Sequence, residues 1–501
     1  MRNNIYSNFT DSNRQTGKYF VFLVPYIILG ASAGFLVIYL DRLALRFQIA
    51  IVVGIVAVLS GLVVKNHEKL FRILLALLAL SIPFNLGVNF FYRPHIGTSS
   101  IAISLSIVLV FILFLLMAYK RVLIGKMYFE FNKTLILPVL AYMLAGILSL
   151  LNADHPDLVG LDIVRMLTLL GILLVMMNLK NEKQVRFFLL FLLLGVLMQG
   201  IIAGVQYYTD KPLGLNILGE EKTLEAQDLG YLVSRAGGTI GHPNILAYYF
   251  EILLPLNLAL LLVEPKFKIR LYLLGTLGVG LAAFVATLSR GGWVTIPISF
   301  SIVFFVLFKD RFFRLSTFFI LFLAGCLLLG FLYLAFPVIE KRLTVDDYQS
   351  AASRIPMNEA TFSIIKRFPV VGAGLNNFPE FFHKYDQTGK SRILGGKHVV
   401  HNLFLWVWAE IGTIGLLAFL WIFGSVFFVI RSLLSKVDPW FKGLLTGIGA
   451  GLFAHLFHGL VDPGFKVNLP TSVLVYALIG LVGAVSIQYR RQKSIKGDIS
   501  A

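Results

Sequence analysis

The chain has 501 residues, of which 57% are hydrophobic and only 14% charged, more apolar side chain than a water-soluble protein of this size can bury. Its formal net charge of +18 would raise nucleic-acid binding in a soluble protein, but in a membrane chain basic residues serve first as topology signals, and nucleic acid is not an expected partner. The single cysteine, Cys326, lies in an apolar run, which excludes an intramolecular disulfide framework and a cysteine metal cluster.

Apolar runs long enough to cross about 30 Å of hydrocarbon predict fourteen helices, near 19–40, 47–64, 71–88, 98–118, 134–151, 160–178, 187–206, 243–263, 271–288, 293–308, 315–336, 401–430, 443–461 and 469–487. The expected fold class is therefore an all-α polytopic membrane protein with about 12–14 transmembrane helices and a long helical extracytoplasmic loop. The first run follows a polar stretch and reads as an anchor, not a cleaved signal peptide. Of the basic residues, 26 fall on the two tails and the even-numbered loops and 18 on the opposite face. Nine of those 18 lie in one long segment, where the charge bias acts weakly, so both termini are expected in the cytoplasm. Four parts follow: a transmembrane scaffold over 1–206, a central transmembrane region over 207–336, a long extracytoplasmic loop over 337–400, and a C-terminal transmembrane region with a cytoplasmic tail over 401–501.

The outer connections are unequal, with 35 residues from Tyr207 to Gly241 and 64 from Pro337 to Val400. A connection of that length implies function or its own secondary structure. Arg354–Phe368 spaces Met357, Phe362, Ile364, Ile365 and Phe368 among polar residues, and Pro369 follows, which predicts an amphipathic helix against the bundle or the membrane surface. A second short helix is expected over Phe378–Tyr385, with Pro379 in its first turn.

Three local sequences carry potential chemistry. Arg235-Ala-Gly-Gly-Thr-Ile-Gly-His-Pro-Asn244 precedes the eighth span; its glycines permit close backbone approach, Pro243 suits a first helical turn, and Arg235 beside the free amides of that helix start suits an anion. The alternative is a tight re-entry of the chain into the bilayer, with His242 as a packing residue. Ser289-Arg290-Gly291-Gly292-Trp293 repeats the arrangement one hairpin later, where Trp293 equally suits an interface anchor. Arg290 sits in a very short connection near hydrocarbon, where arginine needs a partner, and two guanidinium forks suit a diphosphate. The third sequence is His398-Val-Val-His-Asn402, followed by Glu410, Gly412 and Gly415. Two histidines without a defined carboxylate do not complete a zinc set, whereas neutral imidazole suits a general base; Glu410 would orient a side chain or a water, or serve structure.

At this point the chain resembles the O-antigen ligase and polymerase family of Wzy-type membrane glycan enzymes. The resemblance rests on the 235–244 segment, Ser-Arg-Gly-Gly at 289–292, Pro369-x-x-Gly-x-Gly374, His-Asn at 401–402 and Glu-x-Gly-x-x-Gly from Glu410 to Gly415. It implies a multi-pass enzyme of the bacterial inner membrane with its active face periplasmic or extracytoplasmic, and about twelve spans in its ligases. It maps the family's outer arginines onto Arg235 and Arg290 and its histidine before Asn onto His401, leaving His398 as a loop residue. His242, Asn244 and Asn402 are expected to join the arginines in binding substrate.

The activity so implied is metal-independent, inverting transfer of a glycan from a polyprenyl-diphosphate-linked donor to an acceptor hydroxyl, with no cofactor. O-antigen ligation to lipid A-core is favoured because one large outer segment precedes the His-Asn motif. A Wzy-like polymerase, whose acceptor is a second lipid-linked glycan, is the alternative within the same chemistry. A bicarbonate-type solute transporter is the alternative in another class and would require a continuous polar route through the bundle. Donor, acceptor and membrane lipids are the expected partners.

Overall fold

The structure is a computed structural model that describes residues 67–84, 86–91, 97–124, 129–221, 235–309, 336, 340, 348–385 and 399–499. In chain order these form α1 (His67–Ser81), β1 (Gly87–Phe90), β2 (Ile101–Ser104), α2 (Leu105–Ile124), α3 (Lys133–Leu148), α4 (Pro156–Met177), α5 (Glu182–Thr209), α6 (Pro243–Val263), α7 (Phe267–Ala286) and α8 (Arg290–Phe308). They continue with α9 (Tyr348–Arg367), α10 (Phe378–Tyr385), α11 (Leu403–Leu433), α12 (Pro439–His458) and α13 (Leu469–Ile499). The boundaries are written in the sequence as caps. Asn132 accepts from the amide of Thr134 at the start of α3, Asn181 from Gln184 at α5, and Asp438 from Trp440 and Phe441 at α12, where Pro439 takes the first helical position.

Eight helices among the described residues are long and apolar enough to cross a membrane, and the bundle is multi-spanning and helical as expected. They correspond to the predicted runs at 134–151, 160–178, 187–206, 243–263, 271–288, 293–308, 401–430 and 469–487. The runs at 19–40 and 47–64, and all but the last residue of 315–336, lie outside the described residues. Two predicted spans are corrected. The run at 71–88 stops being helical at Ser81, ahead of Pro83, and then enters β1; the run at 98–118 opens as β2 before α2 begins. Those strands pair antiparallel, Gly87 opposite Ser104 and Phe90 opposite Ile101, a small sheet that the all-α reading did not contain. The run at 443–461 is helical as α12, but it is not among the helices apolar enough to span on composition.

Burial separates inner from outer helices. The apolar part of α13 is buried throughout and α6 nearly so, while most of α7 and α8 is only partly buried or exposed. Leu137, Leu144, Leu274, Phe305, Leu417 and Phe428 project outward, as lipid-facing side chains of a membrane bundle do. Helix α6 packs on α7, α8 and α12. Its contact with α12 is close because Gly443, Gly447 and Gly451 recur every fourth residue: a methyl group at Gly451 would lie 2.2 Å from the Ile252 carbonyl oxygen.

Alternation of the spans collects residues 149–155, 210–221, 235–242, 287–289, 368–377, 399–402 and 459–468 at one end of the bundle, and hydrogen bonds tie several of these segments together there. The Leu403 amide donates to the Gly459 carbonyl (2.7 Å) and the Leu375 amide to Ser149 Oγ (2.8 Å). Asn376 and Asn377 bond backbone near Thr98, Leu158 and His155. Over this end lie α9 and α10, placed where the sequence predicted them, although α9 begins at Tyr348, a turn and a half before Arg354. Their apolar faces close on a core of Met357, Ile364, Phe378, Phe382 and Trp406.

The segment after α9 is stitched into α11. Amides of Ala373 and Gly374 donate to the carbonyls of Ala409 and Glu410 (2.9 Å each), and those of Thr413 and Ile414 donate back to Pro369 and Val370. Such an exchange requires α11 to open, and it opens at Gly412 (φ 65°, ψ −171°). Gly372, at φ +78°, faces it so closely that a methyl group would lie 2.3 Å from the Glu410 carbonyl.

Candidate functional site

The 235–244 segment is held by buried amides of α5. Gln206 accepts from the Gly238 amide (2.8 Å), and Gln199 accepts from the Thr239 amide (3.1 Å). Gln199 and Gln206 are seven residues apart in the apolar part of α5 and so share a face. The loop they hold delivers Arg235 to the α7–α8 turn: its Nε donates to the Thr287 carbonyl (3.0 Å), and a terminal nitrogen donates to Asn244 Oδ1 (2.5 Å). Pro243 takes the first position of α6, and His242 caps that helix by accepting the Asn244 amide on Nδ1 (3.1 Å). One of the helix-start amides is therefore engaged by His242.

Asn244 links this segment to the connection after α12. Its amide nitrogen donates to Asp462 Oδ2 (3.3 Å), while the Tyr248 hydroxyl, one turn deeper on α6, donates to Asp462 Oδ1. On the other side of Asp462 Oδ2 stands His401 Nδ1, at 3.9 Å. Nδ1 is buried, yet the His401 side chain as a whole is 36% exposed against 6% for Asp462, so the exposure lies on the rest of the imidazole. Asp462 is thus the hinge between the arginine segment and the histidine.

Asn402 is the N-cap of α11. Its Oδ1 accepts from the amides of Phe404 (3.0 Å) and Leu405 (2.9 Å), and its Nδ2 donates to the Leu460 carbonyl (2.8 Å), which fixes the backbone that carries His401. Since α11 starts at Leu403, His401 precedes the helix; His398 lies outside the described residues.

Arg290 is the first residue of α8, three positions beyond the Thr287 carbonyl that receives Arg235. Leu288 turns the chain there at φ 54°. The next residue, Gly291, lies against His458 at the end of α12: a methyl group would sit 2.2 Å from its Nε2. Beneath this contact is Glu251, fully buried on α6, which bonds His455 Nδ1 (2.6 Å) and His458 Nδ1 (2.8 Å) and accepts from Thr295 Oγ1 of α8 (3.0 Å). His455 Nε2 accepts the Phe465 amide (3.0 Å), so the His455 proton is on Nδ1 and is donated to Glu251.

Glu410 has structural partners on every side. One oxygen is paired with Lys466; the other accepts from Trp406 Nε1 (2.8 Å) and from the Phe378 amide at the start of α10 (3.3 Å). Lys466 also stands over the Trp406 ring, 4.3 Å from its centroid. This cluster joins the outer helices to the bundle.

Of the residues singled out in the sequence, the structure brings Arg235, His242, Asn244, His401 and Asn402 to one end of the bundle around Asp462, with Arg290 on the adjoining turn. The sequence reading missed Tyr248, Glu251, His455, His458 and Asp462. A usable signal was present: ionisable residues within or beside apolar spans are costly unless partnered and mark sites by default. No group of three or more metal-ligating side chains that could hold a metal ion occurs among the described residues.

Comparison with known proteins gives one family match: residues 275–420 fit the family model described as O-Antigen ligase. No curated protein matches the chain. The matched segment runs from α7 to the middle of α11 and contains Arg290, the 369–374 stitch, His401 and Glu410; Arg235 and Asp462 lie outside it. Over that segment the chain is similar to the O-antigen ligase family, which supports a general glycan-transfer, ligase-type activity in a multi-pass membrane protein.

Proposed function

We propose that this protein transfers a glycan from a polyprenyl-diphosphate-linked donor to an acceptor hydroxyl at the outer face of the bacterial inner membrane. One observation supports this reading most: Asp462 bonds Asn244, the partner of Arg235, and lies 3.9 Å from His401 Nδ1, which favours one site for a guanidinium suited to a diphosphate and an imidazole suited to an alcohol proton. Arg235 and Arg290 hold the diphosphate and take up the charge that develops as the anomeric carbon–oxygen bond breaks. The acceptor oxygen attacks the anomeric carbon from the opposite side, with inversion. Its proton passes to His401 on the nitrogen away from Asp462, whose carboxylate steadies the resulting imidazolium. Polyprenyl diphosphate leaves as an anion and needs neither a strong general acid nor a metal ion. His242, Asn244 and Asn402 support binding by fixing the two helix starts on which the arginines and the histidine depend.

The favoured acceptor is lipid A-core, which makes the reaction O-antigen ligation; a polymerase would use the same groups with a second lipid-linked glycan. Purified protein given a synthetic lipid-diphosphate glycan, with each acceptor in a separate reaction, tests this by mass spectrometry of the products. A new glycosidic product from wild type, and a loss of about 100- to 10,000-fold in His401→Ala with donor binding retained, is the expected result. Substrate flux across proteoliposomes without any glycosidic product would overturn it in favour of transport.

A further inference from the structure

Helix α6 carries Asn244, Tyr248 and Glu251 in an apolar setting, spaced four and three apart and therefore on one face. Each bonds the same partner segment, 455–462. Asn244 and Tyr248 take the two oxygens of Asp462, and Glu251 takes His455 and His458. The face reads as a ladder that fixes the end of α12 and the turn beyond it, and His401 stands at its top.

The rungs differ in what they fix. With Oδ1 of Asp462 occupied by the Tyr248 hydroxyl, Oδ2 is the oxygen presented to Asn244 and His401. Tyr248 is only 1% exposed, so its hydroxyl has no water to turn to. Its ring meets both imidazoles edge-on, with centroids 5.1 Å from each, and those imidazoles are held by Glu251. The ring is therefore located from below by the Glu251 cluster, and the hydroxyl locates the carboxylate above.

We propose that Tyr248 is a positioning residue for the His401 base: it holds Asp462 in the rotamer that orients and electrostatically supports the imidazole, and Glu251 with its two histidines is the footing that holds Tyr248. Resting on the transfer reaction proposed above, this assigns the reaction four side chains of α6 and α12, Tyr248, Glu251, His455 and His458, that touch no substrate. Removal of the hydroxyl alone lowers turnover through His401 and leaves the donor site intact. The expected loss is about 10- to 100-fold, typical for removal of an outer partner of a working imidazole.

The test is a double-mutant cycle on full-length protein in nanodiscs. Tyr248→Phe, which keeps the ring, is compared with wild type for kcat at saturating lipid-linked donor and for binding of a non-transferable lipid diphosphate. The same substitution is then made in the His401→Ala background. The proposal expects a 10- to 100-fold fall in kcat with unchanged lipid diphosphate binding and unchanged thermal unfolding, and no further fall when His401 is already absent. A purely structural hydroxyl would lower the residual rate of His401→Ala by the same factor as it lowers wild type, and that result overturns the proposal. So does wild-type kcat in Tyr248→Phe while wild type makes product normally, and that outcome leaves the transfer reaction standing. Absence of product from wild type itself removes the reaction and this role together. Should Tyr248→Phe unfold, Asp462→Asn in the same cycle gives the same reading of the relay: coupling to His401 supports it, and independence from His401 overturns it.

Discussion

The buried Glu410–Lys466 pair is expected to hold the outer helices on the bundle, and its removal measures how strongly. Glu410 is fully buried, and Lys466 is 6% exposed. Substitution of Glu410 by Ala removes the counter-charge of a buried ammonium and the acceptor for Trp406 Nε1 and for the Phe378 amide. Hydrogen bonds to a charged group contribute about 1.5–3 kcal/mol each, and one partner lost from a buried ion pair costs about 3–5 kcal/mol. These terms describe the same carboxylate and overlap, so the expected loss is about 3–5 kcal/mol and not their sum. Replacement of both partners by apolar residues of similar size, Glu410→Met with Lys466→Met, leaves no stranded charge and should recover the part of that loss due to the lone ammonium, while Trp406 Nε1 and the Phe378 amide still lack their acceptor. Reversible denaturant unfolding in micelles, followed by tryptophan fluorescence because Trp406 sits in the cluster, provides the measurement. Single variants within about 1 kcal/mol of wild type, or a double variant as unstable as the singles, would refute the view that the pair is a mutual necessity of burial.

Three further outcomes are expected. Arg235→Lys and Arg290→Lys keep the charge but lose the planar fork, and Arg235 uses two of its nitrogens on Thr287 and Asn244; each should lower kcat/KM by more than tenfold, about 1.4 kcal/mol or more in transition-state binding, while the exposed Lys211→Arg leaves it unchanged. Gly291→Ala places a methyl group 2.2 Å from His458 Nε2, so it should reduce product formation with normal membrane insertion, and Gly275→Ala, where nothing lies within 4 Å, should not. Membrane-impermeant labelling of single cysteines at Val370, which is exposed, and His401 should report the outer face and labelling at Lys436 the inner face; opposite accessibility of Val370 and His401 would contradict their placement at one end of the bundle.

The spans were legible because an apolar run of about twenty residues has few other uses, and the start of α6 because Pro243 is a first-turn residue; α5 and α12 start at Glu182 and Pro439, ahead of the apolar runs at 187 and 443, because their caps Asn181 and Asp438 open polar first turns that hydropathy does not mark. The break after Ser81 and the hairpin that follows were illegible from hydropathy alone. Ile101–Ser104 is as apolar as the helix it precedes, and its pairing with Gly87–Phe90 is a tertiary event. Arg235, Arg290 and His401 stood out because each adjoins glycine, proline or asparagine in a distinctive short string.

Asp462 stands in no such string, only before Pro463 in a short connection, and its meaning appears when α6 and α12 are brought side by side. Sequence spacing shows that Asn244, Tyr248 and Glu251 share a helical face, but not which helix that face meets. The α12 glycines at 443, 447 and 451 settle that question by letting the two backbones approach. Close packing in this bundle thus has a chemical consequence: with α6 and α12 at contact, a carboxylate after α12 reaches an asparagine and a tyrosine on α6 and faces a histidine before α11. A bulkier residue at Gly447 or Gly451 would act on the site from within the bundle, without touching any group that meets substrate.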